Sequence, residues 1–496
     1  MPRKTLLASF AVGALVLAGC STSSDNSGAE EQPAVSVPTP ISSPDGPGLA
    51  DAVTGDAVVA HLEELERIAS ENNGNRAAGT SGYDASVDYV SGKLQAAGFD
   101  VETPEFDFDQ FTVDTELLSA GDEQISVKAL GYSPATPEDG ITARVVAAPA
   151  DESPGCEATD YEGLDVSGAI VVVNRGLCPF VAKQTVAADL GAVAVVVVNN
   201  VPGPVDNGTL GSKDDAKIPT GGVSQEDGAA VASAPELTLT LDTVTTTTKS
   251  RNIIAQTSTG DTSNVVVAGA HLDSVEEGPG INDNGSGTAA VLESALQLGS
   301  EPDVTNAVRF TFWGAEENGL VGSTAYVEGL SDEDKADIAL YLNFDMIGSH
   351  NAGYLAYDGD DSDKVGEPAG PAGSDAIERV FVDYLGGEGI AVDGTDFDGR
   401  SDYGPFIAAG IPAGGVFSGA DDEKTPEQAE KWGGTAGETY DENYHTAEDT
   451  LANVDREALA KNASAIGFGI GTYAQSVEGP NGVPVGDART QARSGQ

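Results

Sequence analysis

Val265-Val266-Val267-Ala268-Gly269-Ala270-His271-Leu272-Asp273, followed closely by Ile281-Asn282-Asp283-Asn284-Gly285-Ser286-Gly287, is the stretch on which the fold of this chain turns. An apolar, β-branched run without polar alternation reads as a strand buried on both faces, parallel and central in its sheet. His271 and Asp273 stand two residues apart at its end, so extended geometry points both side chains the same way. A Gly-rich loop then carries Asp283, and residues 286–298 read as a helix. Open α/β sheets place their ligands just beyond the carboxyl ends of strands. A histidine and two carboxylates there suit a divalent metal, or equally a surface histidine among solvated acids. This stretch alone leaves both readings open.

Further strands are predicted at 252–256, 307–313 and 340–345. The second ends in Glu316-Glu317 and the third in Asp345. Far downstream, Tyr444-His445 lies in a polar loop. Of four histidines, His271 and His445 sit among acids. His61 falls on a helical pattern and His350 in a loop, so both read as surface residues. Two imidazoles with several carboxylates suit zinc. Two such ions about 3.5 Å apart can activate a water and stabilise a tetrahedral transition state. That chemistry needs one bridging carboxylate and another left free as a base. The adjacent Glu316 and Glu317 point in different directions and can divide such roles.

In these motifs the chain resembles the co-catalytic zinc exopeptidases of the secreted bacterial leucyl aminopeptidase type. The likeness covers residues 56–110 and 251–475. It includes Gly74-Asn75-Arg76-Ala77-Ala78-Gly79-Thr80, the strand ends above, Gly399-Arg400-Ser401-Asp402-Tyr403-Gly404-Pro405-Phe406 and Tyr444-His445-Thr446. The resemblance implies two zinc ions per chain, one on His271 and Asp345, the other on Glu317 and His445, with Asp283 bridging. It makes Glu316 the general base on a metal-activated water and Tyr444 the donor to the developing oxyanion. Asp273 would orient His271 through its other ring nitrogen. A cis peptide is implied at Asp283-Asn284, and a calcium ion is left open. Relatives often flank the last histidine with two cysteines. Here those places hold Asn443 and Glu448, so the loop is expected to rely on packing and on metal.

Between about 116 and 250 short β-rich runs dominate, at 143–148, 169–173, 193–198 and 237–244, with one helical stretch at 181–190. This segment resembles a protease-associated domain. The match runs through Leu164-Asp165-Val166-Ser167-Gly168-Ala169-Ile170-Val171-Val172-Val173 and Arg175-Gly176-Leu177-Cys178-Pro179-Phe180, then on to Ile218-Pro219 and Asp227-Gly228. A non-catalytic module that shapes substrate access is implied. Cys156 and Cys178 read as one disulfide, because an exported chain with two spare cysteines commonly pairs them.

The fold class is therefore α/β: a mixed, mostly parallel central sheet flanked by helices, with an inserted smaller β-rich α/β domain. The peptidase part is expected at 51–115 and 251–478, the insert at 116–250, and a disordered tail at 479–496.

Residues 1–19 carry Arg3 and Lys4 before an apolar run too short to span a bilayer. With Leu17-Ala18-Gly19-Cys20 they resemble a bacterial lipoprotein signal, Cys20 being the lipidated residue. Residues 20–50, rich in Ser, Pro and Gly, read as a disordered linker. The expected place is outside the cell membrane, lipid-anchored, or extracellular if released. The 496 residues include 80 acidic and 24 basic side chains, a formal charge of −56. That balance excludes nucleic acid, whose phosphates need basic patches.

The function expected is removal of N-terminal residues, large and apolar ones by the family's leaning, from peptides with a free N-terminus, by a monomer. A carboxypeptidase or dipeptidase on the same scaffold is the alternative. Reading a C-terminal carboxylate calls for clustered arginines, and only Arg400 falls in a candidate site loop, as a substrate contact or a salt bridge. A binding protein on a dead scaffold would lack ligands, and none is missing.

Overall fold

The computed structural model describes residues 36–150, 154–205 and 208–494. Cys20 and the signal segment lie outside the described residues. No described helix is long and apolar enough to cross a membrane.

The strand Asp261–His271 lies between two parallel partners, Asn306–Trp313 on one side and Ile338–Asn343 on the other. Ala413–Gly414 extends the sheet in parallel, while Ile253–Gln256 and Val101–Glu102 close the opposite edge antiparallel. The sheet is thus mixed with a parallel centre. Both faces are covered, which accounts for the unbroken apolar run. Val266, Ala268 and Ala270 pack with Leu62, Leu65 and Val90 from the helices Gly55–Glu71 and Ser81–Ala96, and with Leu292 of Gly287–Leu298 and Ile466 of Arg456–Gln475. Val265 and Val267 pack on the other face with Trp313, Tyr341 and Phe406. Gly269 is required at the middle of this strand. A Cβ there would come within 2.4 Å of Thr311 and 2.8 Å of Tyr341, whose hydroxyl accepts from the Trp313 indole at 2.8 Å.

The insert hangs on a long ribbon. Glu105–Ala120 pairs antiparallel with Glu236–Arg251 from Glu105↔Arg251 to Ser119↔Thr238. The ribbon joins an eight-stranded sheet with its own apolar cores, and Cys156 and Cys178 form a disulfide. The expected boundary at 115/116 falls inside one continuous strand. The two parts are therefore coupled by a paired ribbon, not by a linker.

Three other expectations are corrected. The linker does not run to residue 50: Val37 and Ile41 already pack on the core, the Ile41 amide donates to the Gln297 carbonyl at 2.9 Å, and Gly46–Ala52 is helical. The tail is not disordered throughout. Gly486–Ser494 is a helix, docked by the buried Arg489, whose guanidinium donates to the carbonyls of Ser263 and Ala336 at 3.0 and 2.8 Å. Arg493 donates likewise to the carbonyls of Lys335 and Ile338, and Val483 is buried in the main core; so few and scattered anchors leave no hydrophobic period to read. His61 is not at the surface. It is fully buried, with Nδ1 2.6 Å from the Tyr89 hydroxyl and Nε2 3.1 Å from the Glu293 carboxylate.

Glu293→Ala strands one nitrogen of a buried imidazole. It is expected to lower stability by about 1–3 kcal/mol in urea unfolding, with kcat within a factor of two of wild type.

Candidate metal centre

Three parallel strands end at one edge, and each delivers a side chain to the same space. His271 is the last residue of its strand, Glu316 and Glu317 follow the second, and Asp345 the third. The loop after His271 returns Asp283, and a loop from the far end of the chain brings His445. The structure places His271 Nε2 3.2 Å from Asp283, 3.3 Å from Asp345 and 3.8 Å from Glu316. His445 Nε2 lies 3.2 Å from Asp283 and 3.1 Å from Glu317. Asp283 uses one oxygen toward each histidine. The donors His271, Asp283 and Asp345 form one compact group and Asp283, Glu317 and His445 another.

These residues fit a divalent cation. Glu317 Oε1 and Asp345 Oδ1 are buried without a hydrogen-bond partner among the described residues, a costly state unless a cation takes them up.

Burial and crowding set the protons of the metal-free cluster. Burial, reinforced by Asp283, pushes Glu317 up to about 7. Burial likewise raises Glu316 well above the carboxylate range. Burial would lower His445, but bonds to Asp283 and Glu317 outweigh it and hold the ring near about 10. His271, opposed in the same way by burial, is raised by Asp345 and Glu316. Tyr444 is raised by burial and by Asp283, so it stays a neutral O–H donor.

The supporting shell lies mostly outside what sequence reasoning named. Asn282-Asp283-Asn284 is gripped on both sides of its central acid. The Asp449 carboxylate accepts the amides of Asn282 and Asp283 at 2.7 and 3.0 Å. Asn282 donates to Asp441 at 2.7 Å, and Asn284 donates to the Phe344 carbonyl at 3.0 Å. The Asp283-Asn284 peptide is cis, as the resemblance implies. Arg76, fully buried, donates to the carbonyls of Leu272, Pro279 and Gly280 and so clamps the loop between His271 and Asp283. Ser401 donates to Asp345 at 2.6 Å. Asp402 is fully buried with neither oxygen hydrogen-bonded among the described residues, and burial lifts it to about 7. Ala315, Met346 and His445, each beside or within the cluster, hold positive φ of 56°, 47° and 58°. For non-glycine residues that costs about 1–3 kcal/mol each.

Asp273 supports the site differently from expectation. Its carboxylate accepts the amides of Glu316 and Glu317 at 3.2 and 3.3 Å, while His271 Nδ1 lies nearer its backbone carbonyl (3.2 Å) than its carboxylate (3.7 Å). Tyr444 stacks on the His445 ring at 3.8 Å, and its hydroxyl accepts from Arg400, which also pairs with Asp421 at 2.9 Å. Asn453 links the two places at which the resemblance leads one to expect cysteines, donating to the Glu448 carbonyl at 2.8 Å and to the Asn443 side chain at 3.4 Å. His350 remains at the surface, away from the cluster.

A cavity of about 70 Å³ opens over the cluster, with Met346, Tyr357, Phe417 and Ala420 as an apolar wall and Asp396, Asp398, Asp421 and Asp422 also lining it. Residues 252–468 match the model of peptidase family M28, and residues 141–231 that of the PA domain. A Mycobacterium tuberculosis protein named as a probable lipoprotein aminopeptidase is 53% identical over 89% of this chain and 89% of its own length. The chain belongs to peptidase family M28. An aminopeptidase of Pseudomonas aeruginosa is 44% identical over 85% of this chain and 81% of its own. Among solved structures, an aminopeptidase from Aneurinibacillus matches with a TM-score of 0.71 at 27% identity, covering 86% of this chain and 95% of its own. A zinc aminopeptidase from Bacillus subtilis matches with a TM-score of 0.63 at 26% identity, covering 88% and 98%.

Glu317, Asp402 and Asp449, each at about 7 in the folded metal-free chain, sit above their unfolded values near ~4. Their stabilisation is complete below the unfolded pKa and lost as pH rises through about 7. Metal-free protein is therefore expected to melt at higher temperature at pH 5.5 than at pH 8. Added divalent metal, which competes with these protons, should raise the Tm more at pH 8. Differential scanning fluorimetry of chelated and metal-loaded samples checks both signs.

Proposed function

We propose that this M28 chain is a zinc aminopeptidase with two ions per site. The observation that carries this reading is Asp283, whose two oxygens each lie 3.2 Å from a different histidine. In this reading His271 and Asp345 would hold one ion and Glu317 and His445 the other, with Asp283 placed to serve both. The names of the relatives and of the solved structures support zinc and aminopeptidase activity. Bound zinc would supply Lewis acidity and water activation at neutral pH.

The chain's own residues do the rest. Glu316, buried beside the cluster and raised by that burial well above the carboxylate range, takes the proton of the attacking water and passes it to the leaving amine. Tyr444 donates its O–H to the oxyanion, and its stacking on His445 fixes that hydroxyl relative to the site. The apolar wall of Met346, Tyr357 and Phe417 receives a large apolar side chain. The surrounding aspartates attract a free α-ammonium. Arg400 contacts substrate only at the edge of the site, since its guanidinium is already shared between Asp421 and Tyr444, which disfavours the carboxypeptidase alternative. Calcium is no part of this reading. Asp358, the centre of a second acidic group, already accepts the amides of Asp360, Ser362 and Asp363.

The name of the mycobacterial relative supports a lipid anchor at Cys20, and with it export and attachment to the outer side of the cell membrane. A peptidase so placed would act on extracellular peptides.

Glu316→Gln is expected to lower kcat on Leu-p-nitroanilide at least a hundredfold while two zinc ions per chain still bind by metal analysis. Wild-type turnover in that variant would overturn the assigned base. Wild type should cleave Leu-Gly-Gly and leave N-acetyl-Leu-Gly-Gly intact. Cleavage of the blocked peptide would overturn the aminopeptidase reading.

A further inference from the structure

We propose that a second cavity, against the ribbon that leads to the PA domain, binds the peptide beyond the scissile bond and selects chains carrying Lys or Arg there. The proposal rests on the aminopeptidase reading and deepens it.

The cavity measures about 600 Å³ and is lined by residues 77–78, 110–114, 274–277 and 317–318. Glu317 also lines the small cavity over the metal centre, so the two adjoin there. At about 70 Å³ the first cavity is far below the roughly 300 Å³ of pockets that enclose a larger ligand. It has room for little more than one side chain, so the rest of a bound peptide must leave. Passing Glu317 brings it into the larger cavity.

The ribbon strand there offers backbone as well as side chains. Five consecutive residues, Gln110 to Asp114, line the cavity. Successive residues of a strand point to opposite faces, so an unbroken run marks the strand's edge, not one face. Among the described residues no strand pairs with that edge along 105–117. The strand Glu105–Ala120 pairs with Glu236–Arg251 on one side, with a register shift between Val113 and Thr115, and on the other only Leu118 to Ala120 pair, with Glu123–Ile125. An extended peptide can add to such an edge through main-chain hydrogen bonds, which are indifferent to sequence. The Tyr132 hydroxyl, from the insert, donates to the Asn318 carbonyl at 3.3 Å and holds the two walls together next to Glu317.

Side-chain selection comes from charge. Asp114, Glu276 and Glu277 present exposed carboxylates to this cavity, and no Lys or Arg lines it. Glu276 is fixed in place, accepting from Gln110 at 2.7 Å. Basic residues two or three positions beyond the cleaved bond match these carboxylates, and acidic ones are repelled.

The test compares Leu-Gly-Lys-Lys-Gly with Leu-Gly-Glu-Glu-Gly at 0.15 M salt, with Leu-p-nitroanilide as the reference for folded, active enzyme. Wild type is expected to favour the lysine peptide about fivefold or more in kcat/KM. In Asp114→Asn/Glu277→Gln that ratio should fall below about twofold. Asp122→Asn/Glu123→Gln, at the distant tip of the ribbon, should keep it, which separates a local groove from the general pull of an acidic chain. An equal ratio in wild type, an unchanged ratio in the groove variant, or an equal loss in the tip variant would each overturn the groove. Failure of wild type to cleave Leu-p-nitroanilide would instead overturn the aminopeptidase reading beneath it.

Discussion

The structure is organised around one electrostatic conflict. Asp283, Glu316, Glu317, Asp345 and Asp402 converge on two imidazoles in a buried space. Two like charges 4 Å apart repel by about 4 kcal/mol at an effective dielectric of 20. Such a cluster persists only if protons, hydrogen bonds or cations offset the repulsion. In the metal-free chain protons do so: burial first, and the neighbouring carboxylates after it, push Glu317 and Asp402 to about 7. A divalent metal takes over when it binds. Metal affinity, proton uptake and folding are therefore one linked equilibrium in this domain.

The shell around the cluster answers the same constraint without adding counter-charge in contact with it. Asp273 and Asp449 spend their oxygens on the amides of Glu316, Glu317, Asn282 and Asp283. They orient backbone on either side of the cluster. Arg76 neutralises from behind, through the carbonyls of the loop that joins His271 to Asp283. Backbone in the left-handed region at Ala315, Met346 and His445 is held by this network, in the pattern of strain gathered where geometry matters most. The ribbon carries the PA domain on strand pairing that runs from Glu105↔Arg251 to Ser119↔Thr238, with one register shift between Val113 and Thr115.

Much of this was legible in the chain. The central strand, its neighbours and the helix after the Asp283 loop follow from apolar periodicity. The strand-end acids and the two histidines stand out because imidazoles are scarce here and carboxylates abundant. What escaped was polar and non-local. His61 looked like a surface residue because one polar position on an amphipathic helix cannot announce Tyr89 and Glu293, one lying in another helix and the other 232 residues away. Arg489 docks the C-terminal helix, and Asp449 holds the Asn282 and Asp283 amides, through polar bonds to distant backbone that leave no period or composition signal.

The sequence by itself determined which side chains could do chemistry and the order in which strands would deliver them, because burial on both faces imposes an apolar run and the residues just past it must lie at the sheet edge. Only the tertiary structure decided how those groups divide their work. Asp283 faces two histidines, Asp273 serves amides before imidazole, Arg400 is shared with Asp421, and Gln110 to Asp114 of the ribbon line one cavity with Glu317. Each of these depends on distances between segments far apart in the chain, and those distances are set by packing.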